Sequence, residues 1–185
     1  MRTPLTASLL ASSVLLVSAC GSGSSGATPK DWTSALCGGL SGVVSDQSSI
    51  SSALKAQGAT INTDPAKFRD VFATSLGKLA GDFTTARGRL DKVGAPNVKN
   101  GDMLQKDVLA ALDNGARIFN DAKTKVSSAK PDKTSVIAAV SDAGSALTKG
   151  GSTLQDALSK AQKDDVEKKI STAGSNNPEC KKLGG

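Results

Sequence analysis

The sequence predicts an all-α fold, an up-down-up-down four-helix bundle, on three observations. Apolar residues recur at three- and four-residue steps through four long segments. Each segment opens on a capping residue or proline and closes at glycine or proline. Aromatic residues are only 3% of the chain, four Phe and one Trp with no Tyr, so the core must be built from Leu, Val, Ala and Gly; this suits helices packed through small residues better than a β-sandwich.

The elements follow in order. Thr28-Pro29-Lys30-Asp31 places an N-cap, a proline at the first helical position and an acid near the N-terminal dipole, predicting a helix over 29–57. Its stripe is Leu36, Leu40, Val43, Gln47, Ile50 and Leu54, and Gly58 offers a left-handed stop. Asp64-Pro65 opens a second helix, 64–93, with Phe68, Phe72, Leu76, Leu79, Phe83, Ala86, Leu90 and Val93 on one face, ended by Gly94-Ala95-Pro96. The third, 101–129, carries Leu104, Val108, Ala111 or Leu112, Gly115, Phe119, Ala122 and Val126. Asp132 caps a fourth, 132–173, with Ile137, Val140, Gly144, Leu147, Gly151, Leu154, Leu158 and Ala161, continuing through Val166 and Ile170 to Gly174. Short connections make neighbours antiparallel, so the bundle occupies 31–174. The tail, 175–185, shows turn and charged residues without periodicity.

Ahead of the bundle, the apolar run Leu5 to Val17 behind Arg2 is too short and too interrupted by Ser and Thr to span a bilayer, and residues 1–19 read as a signal peptide. The run closes on Val17-Ser18-Ala19-Cys20, the pattern of a bacterial lipobox, which predicts cleavage before Cys20 and acylation of its sulfur. Parity agrees: three cysteines in an exported chain leave one over, and lipidating Cys20 leaves Cys37 and Cys180 as the intramolecular pair. An up-down-up-down topology brings the end of the fourth helix beside the start of the first, where these two cysteines fall. Residues 20–30, rich in Gly and Ser, read as a flexible tether with a reach of about 17 Å. The expected location is the outer face of the cytoplasmic membrane, held by two acyl chains at about 0.8 kcal/mol per buried methylene.

The chain has no histidine, so the usual general base and the commonest zinc ligand are both missing. No catalytic residues, metal site or cofactor are expected. Asp164, Asp165 and Glu167 lack the spacing of a calcium loop. Losing Arg2 with the signal leaves 22 basic against 17 acidic residues, about +5. Nucleic acid is not an expected partner, since no recognition motif or interleaved aromatics accompany that charge.

Two regions stand out. Gly115 and Gly151 fall at mid-helix on the inward stripe, level with Gln47 and Leu79, and predict either close backbone packing or a small cavity for an apolar ligand with Gln47 as its polar handle. The end of the bundle away from the tether gathers Lys55, Lys67, Arg69, Arg117, Lys123, Lys125, Lys130 and Lys133 against Asp64, Asp70, Asp121 and Asp132. Within it, Lys123, Lys125, Lys130 and Lys133 form a candidate contact surface for an anionic envelope polymer or an acidic protein.

Trp32 followed by Cys37 near the mature start, four amphipathic helices, and the closing Pro178-Glu179-Cys180 resemble the small secreted lipoproteins of actinobacteria. The resemblance covers most of the mature chain and implies an envelope-anchored helical domain. It carries no functional residues across. The expectation is a non-enzymatic interaction module, with carriage of a small apolar or lipid-like ligand in the bundle core as the alternative.

Overall fold

A computed structural model of the chain describes residues 26–164 and 168–183. The signal segment 1–19 and Cys20 lie outside the described residues. Seven helices follow one another: α1 (Pro29–Gln57), α2 (Thr60–Thr63), α3 (Pro65–Val93), α4 (Gly101–Ser128), α5 (Lys133–Asp164), α6 (Lys169–Asn176) and α7 (Pro178–Leu183). The described residues contain no strand, only an isolated parallel bridge between Ala27 and Pro96.

The four long helices α1, α3, α4 and α5 pack in chain order, each against the next. Three of their starts, those of α1, α3 and α5, are capped as the sequence predicts, while α4 follows a left-handed Asn100 without a side-chain cap. Thr28 accepts from the Asp31 amide and returns its hydroxyl to the Asp31 carboxylate, Asp64 accepts from the Lys67 amide, and Asp132 accepts from both the amide and the hydroxyl of Ser135. Those hydrogen bonds hold the exposed Asp132 carboxyl below its ordinary pKa, the backbone donor contributing most. Gly94, with φ 74°, ends α3 in a conformation that favours glycine.

The core is one continuous cluster. Leu36, Leu40, Val43 and Ile50 from α1 meet Phe68, Phe72, Leu76, Leu79, Phe83, Ala86 and Leu90 from α3, and Leu104, Val108, Leu112, Phe119, Ala122 and Val126 from α4. Each fully buried leucine among them contributes about 1.5–3 kcal/mol relative to exposure. Trp32 is buried as a lid on this cluster rather than exposed. Its Nε1–H donates to Gln105 Oε1 at 2.6 Å, and Gln105 Nε2 donates in turn to the Leu90 carbonyl at 2.9 Å.

Four expectations are corrected. Gly58 is right-handed, φ −54°, so the chain does not stop there but passes through α2 before Asp64. The fourth long helix is described to Asp164 and does not run unbroken to 173, because Lys168 is left-handed and Ile170 belongs to a separate α6. The tail is helical, because Asn177 accepts from the amides of Glu179 and Cys180 and caps α7. Finally, the buried face of α5 is Val136, Ala143 and Gly150, while Ile137 and Gly151 are exposed. The most deeply buried positions fall one residue before Ile137, Gly144 and Gly151, since α5 leans mainly on α4 and only lightly on α3, while Val140 and Leu147 still pack on the core as the stripe predicts. The side chains of Leu154, Leu158 and Ala161, and all of Val166, lie outside the described residues.

The four long helices make the predicted all-α bundle, in which α1 and α5, the closing pair, pack far less closely than the other neighbours do. α6 and α7 pack on α1 instead.

Candidate functional site

The two sulfurs meet as predicted. Cys37 on α1 and Cys180 on α7 form a disulfide with Cα atoms 5.0 Å apart. Beside it, Asn177 Nδ2 donates to Ser34 Oγ at 2.7 Å, so a second, polar contact fixes α7 on the first turns of α1.

The segment just ahead of α1 is held more firmly than a free tether. The Ala27 amide donates to the Ala95 carbonyl and the Asn97 amide donates to the Ala27 carbonyl, both at 2.8 Å. Gly26 lies so close to the Ala95 carbonyl that any Cβ would collide with it. Residues 26–30 of the predicted tether therefore belong to the folded domain.

The candidate cavity is present but small. About 80 Å³ opens between α1 and α5, lined by Leu40, Val43, Val44, Gln47, Leu79, Phe83, Phe119, Leu147 and Gly151. That is room for two or three waters at about 30 Å³ each, well short of a lipid-like ligand. Gln47 is exposed, not inward, and stands at the mouth with Gly151. Gly115 does not line the space. The Phe83 ring lies directly on Gly115, the Phe119 ring lies on Gly150, and the two rings stack with centroids 5.4 Å apart. The space released by the two glycines is thus filled by aromatic rings, which lock α3 to α4 and α4 to α5.

At the opposite end from Ala27, Lys123 and Lys125 lie on the last turns of α4, Lys130 in the connection and Lys133 at the start of α5, all exposed. The acids of this end are engaged chiefly by caps and arginines, Asp132 also attracting Lys130. Asp64 and Asp132 cap helices, Asp70 pairs with Arg69 at 2.8 Å, and Asp121 pairs with Arg117 at 3.4 Å. Arg69 also donates to the Ala129 carbonyl at 3.1 Å, tying α3 to the end of α4. Among the described residues Lys123, Lys125, Lys130 and Lys133 are in no ion pair. The alkyl stem of Lys123 crosses Gly77, bordering a shallow groove of about 540 Å³ between α3 and α4 that also takes in Asp70, Thr74, Lys78 and Ser127.

One pair escaped the sequence reading. Asp82 on α3 reaches over Gly42 of α1, where a Cβ would come within 3.1 Å of its carboxyl, and faces Asp46 one turn further along α1. Burial first, then the neighbouring Asp46 carboxyl, pushes the Asp82 pKa up. Its Oδ2 is buried without a hydrogen-bond donor. Only contact between two helices reveals this pair, since nothing in the local pattern of either helix marks it. Among the described residues no group of three or more potential ligands is placed to hold a metal ion.

Comparison with known proteins finds no matching family model, no similar characterised protein and no similar solved structure.

Proposed function

We propose that the chain is an exported lipoprotein, acylated at Cys20 and held at the outer face of the cytoplasmic membrane, where it acts as a non-enzymatic binding module of the cell envelope. It presents Lys123, Lys125, Lys130 and Lys133 to an anionic envelope polymer or an acidic protein. The observation that supports this reading is the state of the acids at that end: all four are used in caps or arginine pairs and none forms an ion pair with these lysines, although Asp132 attracts Lys130 at longer range. The lipobox and the missing histidine support the anchor and the absence of catalysis, and the likeness to actinobacterial secreted lipoproteins points the same way. No helix among the described residues is long and apolar enough to cross a membrane, so attachment in this reading rests on the lipid.

Co-sedimentation with envelope fragments tests the binding role. Changing Lys123, Lys125, Lys130 and Lys133 together to Gln is expected to weaken binding about ten-fold or more at low salt, and added salt to weaken the wild type likewise. Protease treatment of the fragments abolishes binding to an acidic protein and spares binding to a polymer. Equal binding by variant and wild type overturns the assignment of this surface. Palmitate labelling of the Cys20→Ser variant tests the anchor, and label retained by that variant counts against it.

A further inference from the structure

The pinned segment ahead of α1 orients the domain. Ala27 is bonded on both sides to the connection between α3 and α4, so the chain enters the folded domain at that corner. Only five residues separate Gly26 from Cys20, a span that cannot exceed about 22 Å at full extension. Around the exit lies an open recess of about 660 Å³ bounded by Gly26, Val93, Val98, Asn100 and Met103 among others. Met103 is the most exposed large apolar side chain among the described residues, 54% accessible. Lys30, Lys92 and Lys99 are exposed at the same end. Of the nearby acids, Asp31 is engaged by Thr28 and Asp91 by Arg87 at 3.0 Å, leaving Asp102 as the opposing charge.

We infer that this corner, residues 93–103 with Met103 at its tip and Lys30, Lys92 and Lys99 around it, rests on the anionic headgroup layer of the membrane that carries the chain. The inference builds on the anchor proposed above. A thioether group or short alkyl tip enters the interfacial layer at little cost, and each lysine near an anionic surface adds about 1 kcal/mol. The helices then stand away from the bilayer, and Lys125 sits about 33 Å further along α4 than Met103. The tether end thus faces lipid while the distal lysines face the envelope.

Hydrogen exchange read by mass spectrometry on residues 20–185 tests this orientation. With Cys37 and Cys180 paired, Cys20 is the one thiol free for coupling to a maleimide phospholipid in vesicles of phosphatidylglycerol and phosphatidylcholine. Amides of residues 97–103 are expected to exchange about five-fold or more slowly in the coupled protein than in the free one, while those of 123–133 are unchanged. Met103→Asp, at an exposed position that leaves the fold intact, removes the slowing without releasing the protein. Vesicles of phosphatidylcholine alone reduce it. Equal exchange of 97–103 in coupled and free protein, or slowing at 123–133 instead, overturns the inference. Because the lipid is attached chemically, the result stands apart from whether the cell acylates Cys20, which the intact mass of the chain recovered from its own envelope decides.

Discussion

Gly115 on α4 lies against the ring of Phe83 on α3, so close that a single added methyl would come within 2.5 Å of two ring carbons. Gly151 on α5 has nothing within 4 Å of the same methyl. The two glycines look equivalent on a helical wheel and differ completely in surroundings. Gly115→Ala should therefore cost about 1–3 kcal/mol by forcing the stacked Phe83 and Phe119 rings apart, whereas Gly151→Ala should stabilise by up to about 1 kcal/mol through helix propensity alone. Urea denaturation of the two variants checks the contrast. Equal effects would mean that the ring does not seat on Gly115.

The bond from Trp32 to Gln105 joins the first turn of α1 to α4, and Gln105 reaches on to the Leu90 carbonyl of α3. Replacing Gln105 with Leu leaves the indole N–H and that carbonyl buried without partners. A loss of about 1–3 kcal/mol is expected. Trp32 is the single tryptophan, so its emission reports the change directly. Blue-shifted emission in the folded chain and a red shift on unfolding should accompany a lower denaturation midpoint in the variant.

The Asp46 and Asp82 carboxyls give stability a specific pH dependence. Burial and the facing Asp46 carboxyl raise the Asp82 pKa above its ordinary value of 3.8, so the folded chain holds that proton more tightly than the unfolded chain. The stabilisation is full below the ordinary value and is lost as pH rises through the raised one. Asp82→Asn, which supplies an amide donor toward Asp46 and carries no charge, should stabilise by about 1 kcal/mol at neutral pH. At a pH below 3.8 the variant and wild type should coincide. Thermal melts across that range decide the matter, and a variant that gains nothing at neutral pH would remove the pair from the account.

Reduction, or the double change Cys37→Ser with Cys180→Ser, opens a link between positions 143 apart in sequence. On the chain-entropy estimate the loss approaches 5 kcal/mol. α6 and α7 touch the remainder mainly through α1, so they should exchange their amides first once the bridge is gone. Exchange that stays slow in α6 and α7 after reduction would show that the Asn177 and Ser34 contact suffices.

The parts legible in the sequence are those written into single helices. Phe68, Phe72, Leu76, Leu79, Phe83, Ala86 and Leu90 keep strict helical spacing on α3, and all are buried. Thr28, Asp64 and Asp132 declare their caps within three residues. The failures come where a partner helix decides the outcome. Gly150, not Gly151, lies against Phe119 because α5 leans on α4, and Gln47 is exposed because α5 packs only loosely beside α1. Asp82 over Gly42 joins two helices that are far apart in sequence at that point. The tail hid its helix because α7 is held by Asn177 and the disulfide rather than by an apolar stripe.

The bridge between Cys37 and Cys180 makes most of the chain a closed ring with a short stem at each side. A protease that severs any one connection between these positions opens the ring without shedding a piece. Both fragments stay joined through the disulfide, so while the bridge is oxidised a single cut leaves the domain in one covalent piece.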